Sequence, residues 1–86
     1  MADIFDRFKY GNIKVVDLHG LTREEAHAEI IYHLNSIDTN YDGIEFIHGY
    51  HGGNTLKNLV RNDINHPIIA KKVNISASST IILTKK

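Results

Sequence analysis

Asp17 and His19 stand two residues apart at the end of one short apolar run, and His48 ends a second such run. In an extended chain, residues two apart point to the same side, so Asp17 and His19 are neighbours. Imidazole titrates near neutral pH and serves as general acid or base. A carboxylate beside it fixes the tautomer and stabilises the imidazolium. The loop Gly49-Tyr50-His51-Gly52-Gly53 follows His48 directly. Its glycines let the backbone approach a bulky anion. Lys57 and Arg61 follow at a spacing of four, one turn apart on one helix face. Together with the first N–H groups of that helix they suit a phosphodiester backbone. Each part also has a plainer use. An aspartate at a strand end caps turns, a lone histidine is more often structural than catalytic, and glycines make loops.

Other chemistries fit less well. The glycine loop has Asn54 where a Walker A loop needs its second glycine, and no Gly-Lys-Ser/Thr follows. There is no G-x-S-x-G elbow and no cysteine nucleophile. His48-x-x-His51 with His19 offers a three-histidine metal set, although two histidines in a glycine loop do not form a rigid ligand pair. A divalent metal is therefore compatible with the site, and its ligands are not identified by the sequence. His27, His33 and His66 read as surface or helix-end residues.

The elements around these residues follow from periodicity. Ile13–Leu18 reads as a strand, short and β-branched. Thr22 with Glu25 is a capping box for a helix, and Leu21 can staple onto Ala26. Ala26, Ile30, Leu34 and Ile37, with Ile31 beside them, give that helix a buried face. The helix ends before the turn cluster Asn40–Gly43. Ile44–His48 is a second strand. Asn54 or Thr55 caps a second helix, which runs to about Asn65 with Leu56, Leu59, Val60 and Ile64 inward. Pro67 closes it. Ile68–Ile75 and Thr80–Thr84 are two more strands, joined as an antiparallel hairpin by the turn Ser76–Ser79. The expected order is β-α-β-α-β-β in a two-layer α/β sandwich with a mixed sheet. Its first strands are parallel. Parallel pairing delivers Asp17, His19 and His48 to the carboxyl edge of the sheet, where open α/β sheets bind ligands. Residues 1–12 are read as an N-terminal arm, with a short helix over Asp3–Lys9, and residues 13–86 as the domain.

Eighty-six residues make one domain with a small core. Without cysteine there is no disulfide framework and no Cys-based zinc site. No apolar run reaches the roughly 20 residues of a membrane span, and Met1–Tyr10 resembles no signal or transit peptide. The cytoplasm is the expected location. The formal net charge is zero, which taken alone argues against a nucleic-acid binder. The charge is unevenly spread, however. Residues 1–46 carry four basic against nine acidic side chains, a net of −5, and residues 47–86 carry six against one, a net of +5. Such asymmetry gives a neutral protein one basic face, or simply two solvated surfaces that differ.

Val16-Asp17-Leu18-His19-Gly20-Leu21-Thr22, followed by Glu25-Ala26, resembles the opening motif of the Smr (small MutS-related) domain. Ile47-His48-Gly49 through Leu56-Lys57 resembles its second motif, His-Gly-x-Gly followed by a leucine and a basic residue. Ser76–Leu83 is similar to its closing small-residue turn and strand. Here His51 stands where the motif has its second glycine, the loop is one residue longer, and the last turn carries Ser and Ala in place of glycines. The resemblance implies a fold close to the C-terminal domain of translation initiation factor three. It also implies binding of DNA or RNA, free or within a ribosome or ribonucleoprotein, and, in several members, nicking or cleavage of the strand. It places Asp17, His19 and His48 as catalytic residues. Gly49, His51, Gly52, Gly53, Lys57 and Arg61 are then the nucleic-acid-binding residues. Two expectations result: an endonuclease working by acid–base or metal-assisted phosphodiester hydrolysis, or a non-catalytic docking module using the same edge.

Overall fold

A computed structural model describes residues 9–49 and 54–85. The expected helix over Asp3–Lys9, and the loop residues His51, Gly52 and Gly53, lie outside the described residues, save for Lys9. The elements are β1 (Ile13–Asp17), α1 (Arg23–Ser36), β2 (Gly43–Ile47), α2 (Thr55–Asn58, continued by a π-helical turn Leu59–Asp63), β3 (Ile69–Ser76) and β4 (Ser79–Thr84). This is the expected β-α-β-α-β-β order.

The four strands form one mixed sheet in the order β1-β2-β4-β3. β1 pairs parallel with β2, Asp17 opposite Ile47. β4 pairs antiparallel with β2 on one side and with β3 on the other. β3 therefore runs parallel to β2 with β4 inserted between them. The hydropathy of the two strands accounts for this exchange. β4 reads Ser-Thr-Ile-Ile-Leu-Thr and five of its six residues are buried. β3 carries Lys71 and Lys72 and stays at the edge, where charge discourages further pairing.

Both helices pack on the sheet face that carries Leu18, Ile44, Phe46 and Ile82. From α1 come Ala26, Ile30 and Leu34; from α2 and its continuation, Leu59, Val60 and Ile64. Ile31, Ile37 and Leu56 pack partly buried against them, as the periodicity requires. The capping box is formed on both sides: Thr22 Oγ1 accepts from Glu25 N at 3.1 Å, and Glu25 Oε1 accepts from Thr22 N at 2.9 Å.

The second helix departs from expectation. Asn54 holds the N-cap position but makes no side-chain cap. Four α-helical residues give way to a π turn, in which Ile64 N donates to Leu59 O at 2.8 Å. The helix stops at Asp63 rather than Asn65. Lys72 closes its carbonyl end, its Nζ donating to Ile64 O at 2.6 Å and Arg61 O at 3.4 Å. Arg23 reaches across from α1 to Asp63 at 3.1 Å and ties the two helices. The close approach of β2 and β4 requires glycine at position 43: a Cβ there would lie 2.5 Å from Ile82 O.

Candidate functional site

The carboxyl ends of β1 and β2 and the amino end of β4 share one edge, because Asp17, Ile47 and Ser79 stand in register across the three strands. The chain leaves β1 through Asp17-Leu18-His19. Leu18 is fully buried beneath the helices and donates its N–H to Ile47 O at 2.7 Å. Burial of Leu18 turns its neighbours on either side outward. Asp17 and His19 are accordingly exposed, with 50 % and 74 % of their side-chain surface open.

They bond to each other. Asp17 Oδ1 lies 2.6 Å from His19 Nδ1 and also accepts the His19 backbone N–H at 3.0 Å. The backbone bond, then the side-chain bond, hold the Asp17 carboxyl below its ordinary value. Asp17 is thus ionised at neutral pH and can only accept. His19 Nδ1 must carry the proton that it donates, and Nε2 of the neutral ring is left with its lone pair at the exposed end. Fixing one ring nitrogen so that the other is a base is the function of a carboxylate–histidine pair.

Gly49 adopts φ +71°, a left-handed conformation that glycine enters without a Cβ penalty. It lies against His19: a Cβ built on Gly49 would stand 3.5 Å from His19 Cβ. Both His48 N and Gly49 N donate to Ser78 O, at 2.9 and 3.1 Å. The turn between β3 and β4 therefore clamps the start of the glycine loop.

His48 shares this edge but turns the other way. Only 3 % of it is exposed. Strand alternation sends it to the helix side, where its Nδ1 lies 3.1 Å from Gly49 O and its Nε2 3.1 Å from Thr80 Oγ1. Burial lowers its pKa; the bond to Gly49 opposes that, and the charges of Arg61 and Lys57 add to it. His48 is neutral at pH 7. Asp17 and His19 are brought together, whereas the second imidazole is enclosed with both nitrogens bonded inside the fold.

Arg61 is half-buried and faces inward. Its Nε donates to Thr80 Oγ1 at 2.7 Å, and its Nη2 to Ser76 O at 2.5 Å and Ser79 O at 3.2 Å. Lys57, also half-buried, contributes positive charge near His48. Among the described residues, no group of three or more His, Asp or Glu side chains converges as a metal ion would need. Asp17 and His19 could supply two donors to such an ion, and the bond between them occupies Nδ1.

The Smr domain family model matches residues 16–77, nearly three quarters of the chain. The chain belongs to the Smr domain family. No curated protein and no solved structure matches it. The Smr family is a nucleic-acid-binding, nuclease-like family. The matched span opens on Val16-Asp17-Leu18-His19 and closes in the β3–β4 turn, so it contains Asp17, His19, His48, Gly49, Lys57 and Arg61 and ends just before Ser78. Among the described residues of this Smr domain, no helix is long and apolar enough to cross a membrane.

Sequence reasoning read Ser76–Ser79 as a turn and Thr80 as the start of the last strand, and gave neither a part in the site. Their signal was present in β4: Thr80 is a polar residue at a core-facing position, two residues before Ile82 on the same face. A buried hydroxyl there requires partners, and His48 and Arg61 are those partners.

Proposed function

We propose that this Smr domain binds DNA or RNA at the carboxyl edge of its sheet and hydrolyses a phosphodiester bond there, with His19 Nε2 moving the proton. The observation that carries this reading is the 2.6 Å contact between Asp17 and His19 on an exposed edge beside Gly49. Asp17 holds the Nδ1–H tautomer and stabilises the ring once it is charged. His19 Nε2 takes a proton from the attacking hydroxyl or water and returns it to the leaving oxygen. The positive charges of Lys57 and Arg61 lower the cost of bringing a phosphate to this edge. The burial of His48 supports a structural part for it: it holds Gly49 in place rather than shuttling protons.

One observation favours a second reading, a docking module without cleavage. At this edge, among the described residues, a single imidazole faces solvent. Hydrolysis assisted by separate acid and base groups needs two. The discriminating experiment incubates the protein with supercoiled plasmid and with structured RNA, with and without EDTA, beside Asp17→Ala and His19→Ala variants. Cleavage by the wild type, lost in both variants, is expected. Binding without cleavage of any substrate establishes the docking module, and the EDTA arm reports whether a metal ion takes part.

A further inference from the structure

We infer that Arg61 and Thr80 are positioning residues, which through His48 set the orientation of the Gly49 peptide and with it the point where the glycine loop leaves the sheet beside His19. The bond directions follow from chemistry at the two ends. The Arg61 guanidinium can only donate, and the Gly49 carbonyl can only accept. His48 Nδ1 must therefore carry a proton for Gly49 O, at 3.1 Å. The Nε2 of the neutral ring is then an acceptor, so the Thr80 hydroxyl donates to it, at 3.1 Å. The same oxygen accepts from Arg61 Nε, at 2.7 Å. The chain Arg61→Thr80→His48→Gly49 can run in one direction only, and its two middle members are enclosed, Thr80 at 0 % and His48 at 3 % exposure. The lowered pKa of His48, caused first by burial, agrees with the neutral ring that this direction requires.

A second set of bonds closes the arrangement into a ring. Arg61 Nη2 donates to Ser76 O and Ser79 O, on either side of the β3–β4 turn. The carbonyl of Ser78 in that turn receives His48 N and Gly49 N. Gly49 is thus gripped at its N–H by the turn and at its C=O by the His48 ring, and Arg61 anchors both. A left-handed residue held at both its polar groups has little freedom, and the His19 side chain lies directly against it. Arg61 is then an internal strut for the site. It is not a phosphate ligand, although its charge still contributes to the local potential.

The role in the site rests on the nucleic-acid reading above; the bonding chain itself does not, and the test separates the two. Thr80→Val keeps the shape and removes the hydroxyl, and Thr80→Ser restores it. Two measurements apply: the ¹⁵N resonances of the His48 imidazole with hydrogen exchange of the Gly49 amide, and affinity for a labelled hairpin RNA and a DNA duplex over a range of salt. In Thr80→Val the Gly49 carbonyl still holds the Nδ1 proton, so we expect the His48 Nε2 resonance to shift as its hydrogen bond is lost, and Gly49 to exchange faster. Affinity should fall by about tenfold, the effect of about 1.4 kcal/mol, with the salt slope unchanged because no phosphate contact is lost. Thr80→Ser should recover all of these. Should Thr80→Val fail to fold, Arg61→Lys serves instead. It keeps the charge but lacks the fork that spans Thr80 and the turn, and the same Nε2 and exchange changes are expected. A His48 Nε2 resonance that stays at its wild-type position, with Gly49 exchange unchanged, overturns the chain. Loss of the Nε2 hydrogen bond with undiminished affinity overturns its part in the site. A wild type that binds neither nucleic acid refutes the functional reading, and the resonance measurements still decide the chain.

Discussion

Asp17→Asn separates chemistry from architecture at this site. The carboxamide keeps one oxygen, which can still accept the His19 backbone N–H now bonded at 3.0 Å. It removes the charge opposite His19 Nδ1 at 2.6 Å. A hydrogen bond to a charged group contributes about 1.5–3 kcal/mol where solvent is excluded. Asp17 and His19 are half and three-quarters exposed, so the contribution to stability shrinks to about 1 kcal/mol or less. For a domain of this size that is a fall in melting temperature of at most about 4–8 °C. Proton transfer is the larger loss, since general acid–base assistance contributes about 10²–10⁴-fold to rate. The expected variant therefore melts close to the wild type, binds nucleic acid nearly as well, and cleaves at least about a hundredfold more slowly. Circular-dichroism melting and single-turnover cleavage of labelled substrate measure both. Wild-type cleavage rates in Asp17→Asn would refute the carboxylate–histidine argument. A fall in melting temperature well beyond that range, with activity lost in proportion, would make Asp17 a structural cap of the β1 end.

The remaining expectations concern the scaffold. The lowered pKa of His48 makes stability pH-dependent with a definite sign. In the unfolded chain His48 takes up a proton as pH falls through about 6.5, while the buried ring does not, so its contribution is complete above that pH and is lost as pH falls towards the folded-state value. Urea titrations at pH 7.5 and pH 5.5 should show a smaller difference for His48→Gln than for the wild type; an equal difference removes His48 as the cause. Gly43→Ala forces a Cβ to within 2.5 Å of Ile82 O, and the strands must part at a cost of about 1–3 kcal/mol, readable as a lower urea midpoint. A midpoint equal to that of the wild type would show that the sheet yields freely at this crossing.

The fold was legible because its periodicities are strong. Ala26, Ile30 and Leu34 repeat at helical spacing behind a capping box, and Ile13–Asp17 and Gly43–Ile47 are too short and too β-branched for helices. Strand order was not legible. Nothing local states that β4 enters between β2 and β3, since this depends on which strand has the most apolar surface to bury on both faces. The π turn at Leu59–Asp63 was equally hidden, because Leu56, Leu59, Val60 and Ile64 satisfy a helical pattern whether or not one residue is bulged. At the site, Asp17 and His19 were legible because two residues of spacing suffice to make them neighbours. His48 was legible as a residue of the same edge but not as a buried one. Alternation gives its direction, but its enclosure needs a polar partner, Thr80, which is 32 positions away, and a histidine whose partner lies on another strand reads in sequence like one that faces solvent.

The basic residues carry a similar lesson, with a measurable consequence. Six of them in residues 47–86 suggest a broad phosphate-binding surface and a steep salt dependence. The structure spends several elsewhere. Arg61 is bonded to Thr80 and the β3–β4 turn. Lys72 is bonded to the last carbonyls of the second helix, and burial, opposed by Asp63, lowers its pKa. Lys71 and Lys85 lie towards the opposite end of the sheet, since Lys71 stands near the start of β3 and Lys85 follows the end of β4. Among the described residues, Lys57 is left as the lysine of this half that stands near the candidate edge. Each neutralised phosphate contributes about −0.9 to the slope of log K against log salt on duplex DNA, and about −0.7 on single strands. One or two contacts at this edge give a slope of about −1 to −2, where six would give about −5. Lys57→Ala should reduce it by about one further, whereas Lys72→Met should leave it unchanged and lower stability instead. Titrations of a labelled duplex and a hairpin RNA at several salt concentrations measure these slopes. A wild-type slope near −5, or one that Lys72→Met reduces, would mean that the bound nucleic acid lies along the sheet rather than at its carboxyl edge.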